Sequence, residues 1–273
     1  MKQSIILLSL KESFKSIYTH KLIFVLLAIL EIIFIISFGV VQFKYQIKII
    51  ENSRDILEYY QQLNLEEDNL GKSMREGSHI LGSDPLLIYK KFKELVSLTI
   101  ILISSTVSLI LFFNSLNWSI TNLIFTKQNI KDFIRHFWRI LIINLTYILL
   151  MALVMFLVFQ KFYLELISKN PVFLIIGTTL LLVILYFMLI SFSLANQKIG
   201  KLIKNSFSVG LKKAHYIFSI YILGIILLVS MGILILFLQN HHIILLLLAV
   251  VIFIASLITF RIFLITIVRN LTR

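Results

Sequence analysis

Two side chains of opposite charge, Glu31 and Arg261, stand inside long apolar stretches of this 273-residue chain. A charge at the centre of a membrane span costs roughly 2.5 to 3.5 kcal/mol on insertion scales, so each is a candidate for pairing, proton handling or ligand contact. Glu31 lies nine residues past Leu22, and Arg261 eight residues before Arg269. At 1.5 Å per residue, both sit about 12 to 14 Å from the inner boundary of a bilayer. Matched depth predicts an intramembrane pair between the first and last spans, with a structural role favoured over transport. Two alternatives are open: Arg261 snorkels to the headgroups, or Glu31 is protonated and bonded to a Ser or Thr.

Other residue types with chemical potential lack the spacing that catalysis requires. There is no phosphate-cradling Gly loop, no His-Glu-x-x-His, no Gly-x-Ser-x-Gly and no calcium loop. The acidic run Glu66-Glu67-Asp68-Asn69 does not alternate ligand oxygens as an EF-hand does, and reads as a solvated loop face. His20, His136 and His215 form a conceivable three-imidazole metal set, but amphipathic rings favour the membrane edge without any metal. His241-His242 reads as part of a polar turn. No cofactor, metal site or catalytic residue is expected. The chain has no Cys, which removes thiolate chemistry and disulfides.

The elements holding these residues follow from composition. Hydrophobic residues are 59% of the chain and its mean hydropathy is +0.97, too apolar to coat a soluble globule. About 20 apolar residues cross 30 Å of hydrocarbon, and six stretches qualify. They are Leu22 to Val41, Leu95 to Phe113, Ile140 to Phe159, Val172 to Leu194, Tyr216 to Leu238 and Ile243 to Ile267. Gln239-Asn240-His241-His242 marks a turn, and Asn170-Pro171 starts the fourth span. The first span is too long for a signal-peptide core and is expected to remain as an anchor. Usage rich in Ile, Lys, Phe and Asn suggests a prokaryotic source.

Lys and Arg set the orientation. Lys2, Lys11, Lys15 and Lys21 precede span one. Lys127, Lys131, Arg135 and Arg139 lie between spans two and three, Lys198, Lys201, Lys204, Lys212 and Lys213 between spans four and five, and Arg269 and Arg273 at the end. These fifteen basic residues face only Glu12 and Asp132, so both termini are expected in the cytoplasm of a cell whose plasma membrane the chain crosses. The long connection 43–94 is nearly balanced in charge and is placed outside. Its Ile49, Ile56, Leu57, Tyr60 and Leu63 recur at helical spacing, and Ser83-Asp84-Pro85 reads as the start of a helix running into span two. A net charge of +13 distributed this way points to anionic headgroups on the cytoplasmic face, contacted by Lys127, Lys131, Arg135, Lys201, Lys204, Lys212 and Lys213. No nucleic-acid module accompanies it.

A basic amphipathic segment precedes each odd-numbered span. The first carries Ile6, Leu7, Leu10, Phe14, Ile17 and Tyr18 on one face; the second Ile120, Leu123, Ile124, Phe133, Ile134, Phe137 and Trp138; the third Ile199, Leu202, Ile203, Leu211 and Ala214. Each ends at one of the three His residues. The predicted fold is an all-α membrane protein, a single polytopic domain 1–273 of three hairpin-like repeats (1–113, 114–194, 195–273), each begun by an interfacial helix. With segments such as Ile130-Lys131-Asp132-Phe133-Ile134-Arg135-His136-Phe137-Trp138, this pattern resembles the six-helix membrane domain accompanying some glycerophosphodiester phosphodiesterases and its stand-alone prokaryotic relatives. The resemblance implies architecture and membrane association, and no catalytic residue, since the catalytic barrel has no counterpart here. The functional expectation is a non-enzymatic integral membrane protein that organises the membrane or associates with lipid. The alternative is a transporter or permease subunit of a multicomponent system, partnered by an ATPase.

Overall fold

The computed structural model describes residues 5–62, 85–125, 130–168, 172–238 and 243–272. All secondary structure among them is helical. The elements are α1 (Ile5–Thr19), α2 (Lys21–Gln62), α3 (Pro85–Leu123), α4 (Ile130–Ser168), α5 (Val172–Ser193), α6 (Ile199–Lys212), α7 (Ala214–Leu238) and α8 (Ile243–Thr272). Six of them, α2 to α5 with α7 and α8, are long and apolar enough to cross a membrane, the architecture of a multi-pass membrane protein. Helices suit these long apolar stretches, because a helix satisfies every backbone N–H and C=O group in hydrocarbon within its own segment. With two prolines in the chain, little interrupts them. Pro85 occupies a first helical position, where its missing N–H costs nothing.

Each expected span coincides with a helix to within one residue, the fourth ending at Ser193 rather than Leu194, but α2 and α3 run much further than the apolar stretches. They have 42 and 39 residues, about 63 and 58 Å at 1.5 Å per residue, against about 30 Å of hydrocarbon. Much of the segment expected as a long outer connection is therefore helix, continuing through Lys44, Lys48 and Glu51. The acidic cluster at 66–69, Ser83-Asp84, Lys127, Asn170-Pro171 and the turn at 239–242 lie outside the described residues.

The chain divides into two units: Met1–Ile32 with Leu111–Arg273, and Ile33–Ile110. In the first unit, α8 packs against α1, α5, α6 and α7. Its first turns expose Ile243, Ile244, Leu247 and Leu248, whereas Ile262 through Val268 are buried without a break. A helix apolar on all sides is surrounded on all sides, and the neighbours here include Ile140, Ile190, Leu202 and Ile217.

The segments expected as amphipathic fall on α1, on the end of α3 with the start of α4, and on α6. In α1 the buried residues are Ser9 and Ser13, while Leu7, Leu10, Phe14 and Tyr18 are exposed. In membranes, small residues let helices approach closely and the apolar side chains are left for lipid. Asn270 of α8 donates to Ser9 Oγ at 3.0 Å and to Glu12 Oε2 at 2.8 Å, which polar contact at this interface permits. The second segment is not one helix: Ile120 and Leu123 end α3, while Phe133 to Trp138 belong to the start of α4. The chain breaks near His20 and near His215 but runs helically through His136.

Candidate functional site

Leu27, one turn before Glu31 on α2, joins Ile254, Ile258 and Ile262 of α8, Ile120 of α3 and Ile124 in the turn after it in one buried cluster. That packing brings Glu31 to the face of α8 that carries Arg261. Arg261 Nη2 donates to Glu31 Oε1 at 2.6 Å, and the two side chains are 11% and 8% exposed. The guanidinium also lies over the Trp118 ring of α3, 5.6 Å from its centroid. This is a short, charge-assisted contact in an apolar bundle, where removing one partner strands the other. Neither snorkelling of Arg261 nor a Ser or Thr partner for Glu31 is the arrangement found. Arg261 Nη1 is buried and has no hydrogen-bond acceptor.

Around the pair runs a polar seam. Asn114 Nδ2 donates to Asn144 Oδ1 at 3.4 Å, and Asn144 Nδ2 in turn donates to Ser115 Oγ at 3.3 Å. Ser119 and Thr121 satisfy their hydroxyls on carbonyls one turn back, at 2.7 Å each. Asn117 and Asn144, which stand in glycosylation-type triplets, are 2% and 1% exposed, so both are interior residues. Sequence reasoning missed Trp118, Asn114 and Asn144 as partners of the pair's surroundings. The available signal was the density of Asn and Ser at 114–122, polar groups that need internal partners at membrane depth.

The basic residues expected to meet lipid do not converge on the pair. Lys131 and Arg135 are exposed on α4, Lys201, Lys204 and Lys212 are exposed on α6, and Lys213 is exposed between α6 and α7. His20, His136 and His215 are not brought together: among the described residues no three His, Asp or Glu side chains form a group able to hold a metal.

Helix α6 presents three stripes. Leu202, Ser206 and Gly210 are buried, with Ser206 accepting from Ser191 at 3.2 Å and the Gly210 carbonyl accepting from the Tyr186 hydroxyl at 2.9 Å. A Cβ at Gly210 would come 2.7 Å from the Phe187 ring, which is why this crossing needs glycine. Ile199, Ile203, Phe207 and Leu211 form an exposed apolar stripe. Lys201, Lys204 and Lys212 occupy the remaining side. No family model matches this chain, and no curated protein and no solved structure matches it.

Proposed function

We propose that this chain is a non-enzymatic multi-pass protein of the plasma membrane that binds anionic lipid headgroups at the cytoplasmic face and organises the bilayer around it. The observation that carries this reading is α6. Its three stripes suit a helix lying in the interface, one side on the bundle, one on acyl chains and one on phosphates. Lys213 extends the charged side. Lys131 and Arg135 on α4, with Lys127, supply a second basic group, and α1 is the third interfacial element.

The termini are cytoplasmic and 43–94 is extracytoplasmic by the distribution of Lys and Arg. Three repeats of interfacial segment, span, outer connection and span complete the scheme. The same scheme supports kinship with the membrane domain of glycerophosphodiester phosphodiesterases. A permease subunit is the second reading, favoured by one observation: an ion pair buried at membrane depth, where ionisable groups are otherwise avoided. Co-purification of an ATPase subunit would support it.

The test compares thermal unfolding in nanodiscs of neutral lipid with and without phosphatidylglycerol. Anionic lipid stabilises the parent, by up to ~1 kcal/mol per near-surface lysine and less at high salt. Replacing Lys201, Lys204, Lys212 and Lys213 with Gln removes most of that gain. An undiminished gain in the variant contradicts the proposal.

A further inference from the structure

Where the apolar stretch of α8 ends, an open cavity of about 310 Å³ lies between α8, α1 and the turn after α3. Ile124 and Phe125 give it an apolar wall, and Glu12, Lys15, Ser16, Arg269 and Asn270 bring polar groups to it. Two of these groups are held from behind. Arg269 donates from Nη1 to the Phe125 carbonyl at 3.2 Å, and its guanidinium lies 5.1 Å from the centroid of that ring. Asn270 donates to Glu12 Oε2 at 2.8 Å, so the carboxylate is positioned before any ligand arrives.

The other groups are open to a ligand. Lys15 and Glu12 stand three residues apart on α1, roughly 5 to 6 Å between Cβ atoms, yet among the described residues neither forms an ion pair. Lys15 is exposed. The hydroxyls of Ser13 and Thr19 on the same helix bond carbonyls one turn back, at 2.7 and 2.9 Å. Ser16 makes no such bond among the described residues, which leaves its hydroxyl as a donor.

Charge decides what fits. The lining carries two cations and one carboxylate. A simple phosphate meets Lys15 and Arg269 but also faces Glu12, a like charge, and a simple amine meets the reverse. A phosphate with a primary ammonium two carbons away satisfies both signs, and its N–H groups make charge-assisted bonds to a carboxylate that a quaternary ammonium cannot make. The volume suits a headgroup-sized group rather than acyl chains. Arg269 and Asn270 lie just past the last residue of the expected sixth span, the depth at which headgroups begin.

We propose that this cavity binds a phosphoethanolamine group, the phosphate against Lys15, Ser16 and Arg269 and the ammonium against Glu12. The site uses none of the α6 lysines, so it stands or falls apart from theirs.

Native mass spectrometry of the full chain in detergent measures the affinity for each bound lipid. Phosphatidylethanolamine, phosphatidylglycerol and phosphatidylcholine of identical chains are titrated, with glycerophosphoethanolamine as a soluble carrier of the same group. In the parent, phosphatidylethanolamine is expected to bind about tenfold tighter than phosphatidylcholine, the worth of one charge-assisted bond. Glu12→Gln keeps an oxygen for Asn270; it weakens phosphatidylethanolamine about tenfold and does not weaken phosphatidylglycerol. Lys15→Gln, at an exposed side chain, also weakens phosphatidylethanolamine about tenfold. Replacing Lys201, Lys204, Lys212 and Lys213 with Gln leaves phosphatidylethanolamine binding intact. Glycerophosphoethanolamine binding with the same dependence on Glu12 and Lys15 assigns the site to a soluble ester, and lipid binding without it assigns the site to the membrane lipid. Unchanged phosphatidylethanolamine affinity in Glu12→Gln or Lys15→Gln overturns the proposal, as does equal weakening of phosphatidylglycerol by Glu12→Gln.

Discussion

The two units solve the same problem of polar groups among apolar helices in opposite ways. In the first, Glu31 and Arg261 are enclosed by packed isoleucines, and a buried polar seam runs along the end of α3. In the second, Asn52 is the only buried residue among those described. There α2 and α3 run antiparallel, joined by polar contacts: Gln42 Nε2 to Thr106 Oγ1 at 2.9 Å and Lys91 Nζ to Asp55 Oδ2 at 2.7 Å. The Lys91 and Asp55 side chains are 32% and 46% exposed. Ion-pair distance is therefore nearly the same in both units, and burial is what differs. The lesson is that geometry alone does not rank these pairs. The surroundings do.

The largest expected effect separates the pairs. Arg261→Leu strands Glu31 and destabilises the protein by about 3 to 5 kcal/mol, the range for breaking a buried pair. Exchanging the residues (Glu31→Arg with Arg261→Glu) recovers part of the loss. Asp55→Leu, breaking the exposed pair, costs about 0 to 1 kcal/mol. Melts in one detergent check all three, and equal losses at Arg261 and Asp55 would erase the distinction. Next in size is packing. Ile262→Ala, at a site 0% exposed, costs about 2 kcal/mol or more through lost contacts and a residual void. Ile103→Ala, at a site 57% exposed, stays within about 0.5 kcal/mol. The smallest effect sharpens the description of the second unit. A double-mutant cycle of Gln42→Leu and Thr106→Val should give a coupling of about 0.6 kcal/mol, typical of hydrogen bonds between membrane helices.

The spans and the ion pair were legible in sequence because both are questions of depth along a helix, and depth follows from counting residues at a fixed rise. The start of α3 at Pro85 was legible too, but the unbroken run of α2 past its apolar stretch was not. Charged residues from Lys44 onward end the apolar signal without ending the helix, since Lys, Glu and Gln are good helix formers. Which side of α1 meets the protein had no apolar signal: Ser9 and Ser13 are buried, whereas Leu7, Phe14 and Tyr18 are exposed. The cavity beside Arg269 had no sequence signal. It depends on how Lys15, Phe125 and Arg269, far apart in the chain, come together.

Lipid binding at the inner face requires α6 to lie on the cytoplasmic side, and the lack of native cysteine makes this directly measurable. Single cysteines at Lys201 and at Asn69 are each the sole thiol of their variant. With a membrane-impermeant maleimide on intact cells, Asn69→Cys is expected to label at once, and Lys201→Cys only after permeabilisation. Labelling of Lys201→Cys in intact cells, with Asn69→Cys protected until the membrane is opened, would invert the orientation and contradict the proposed function.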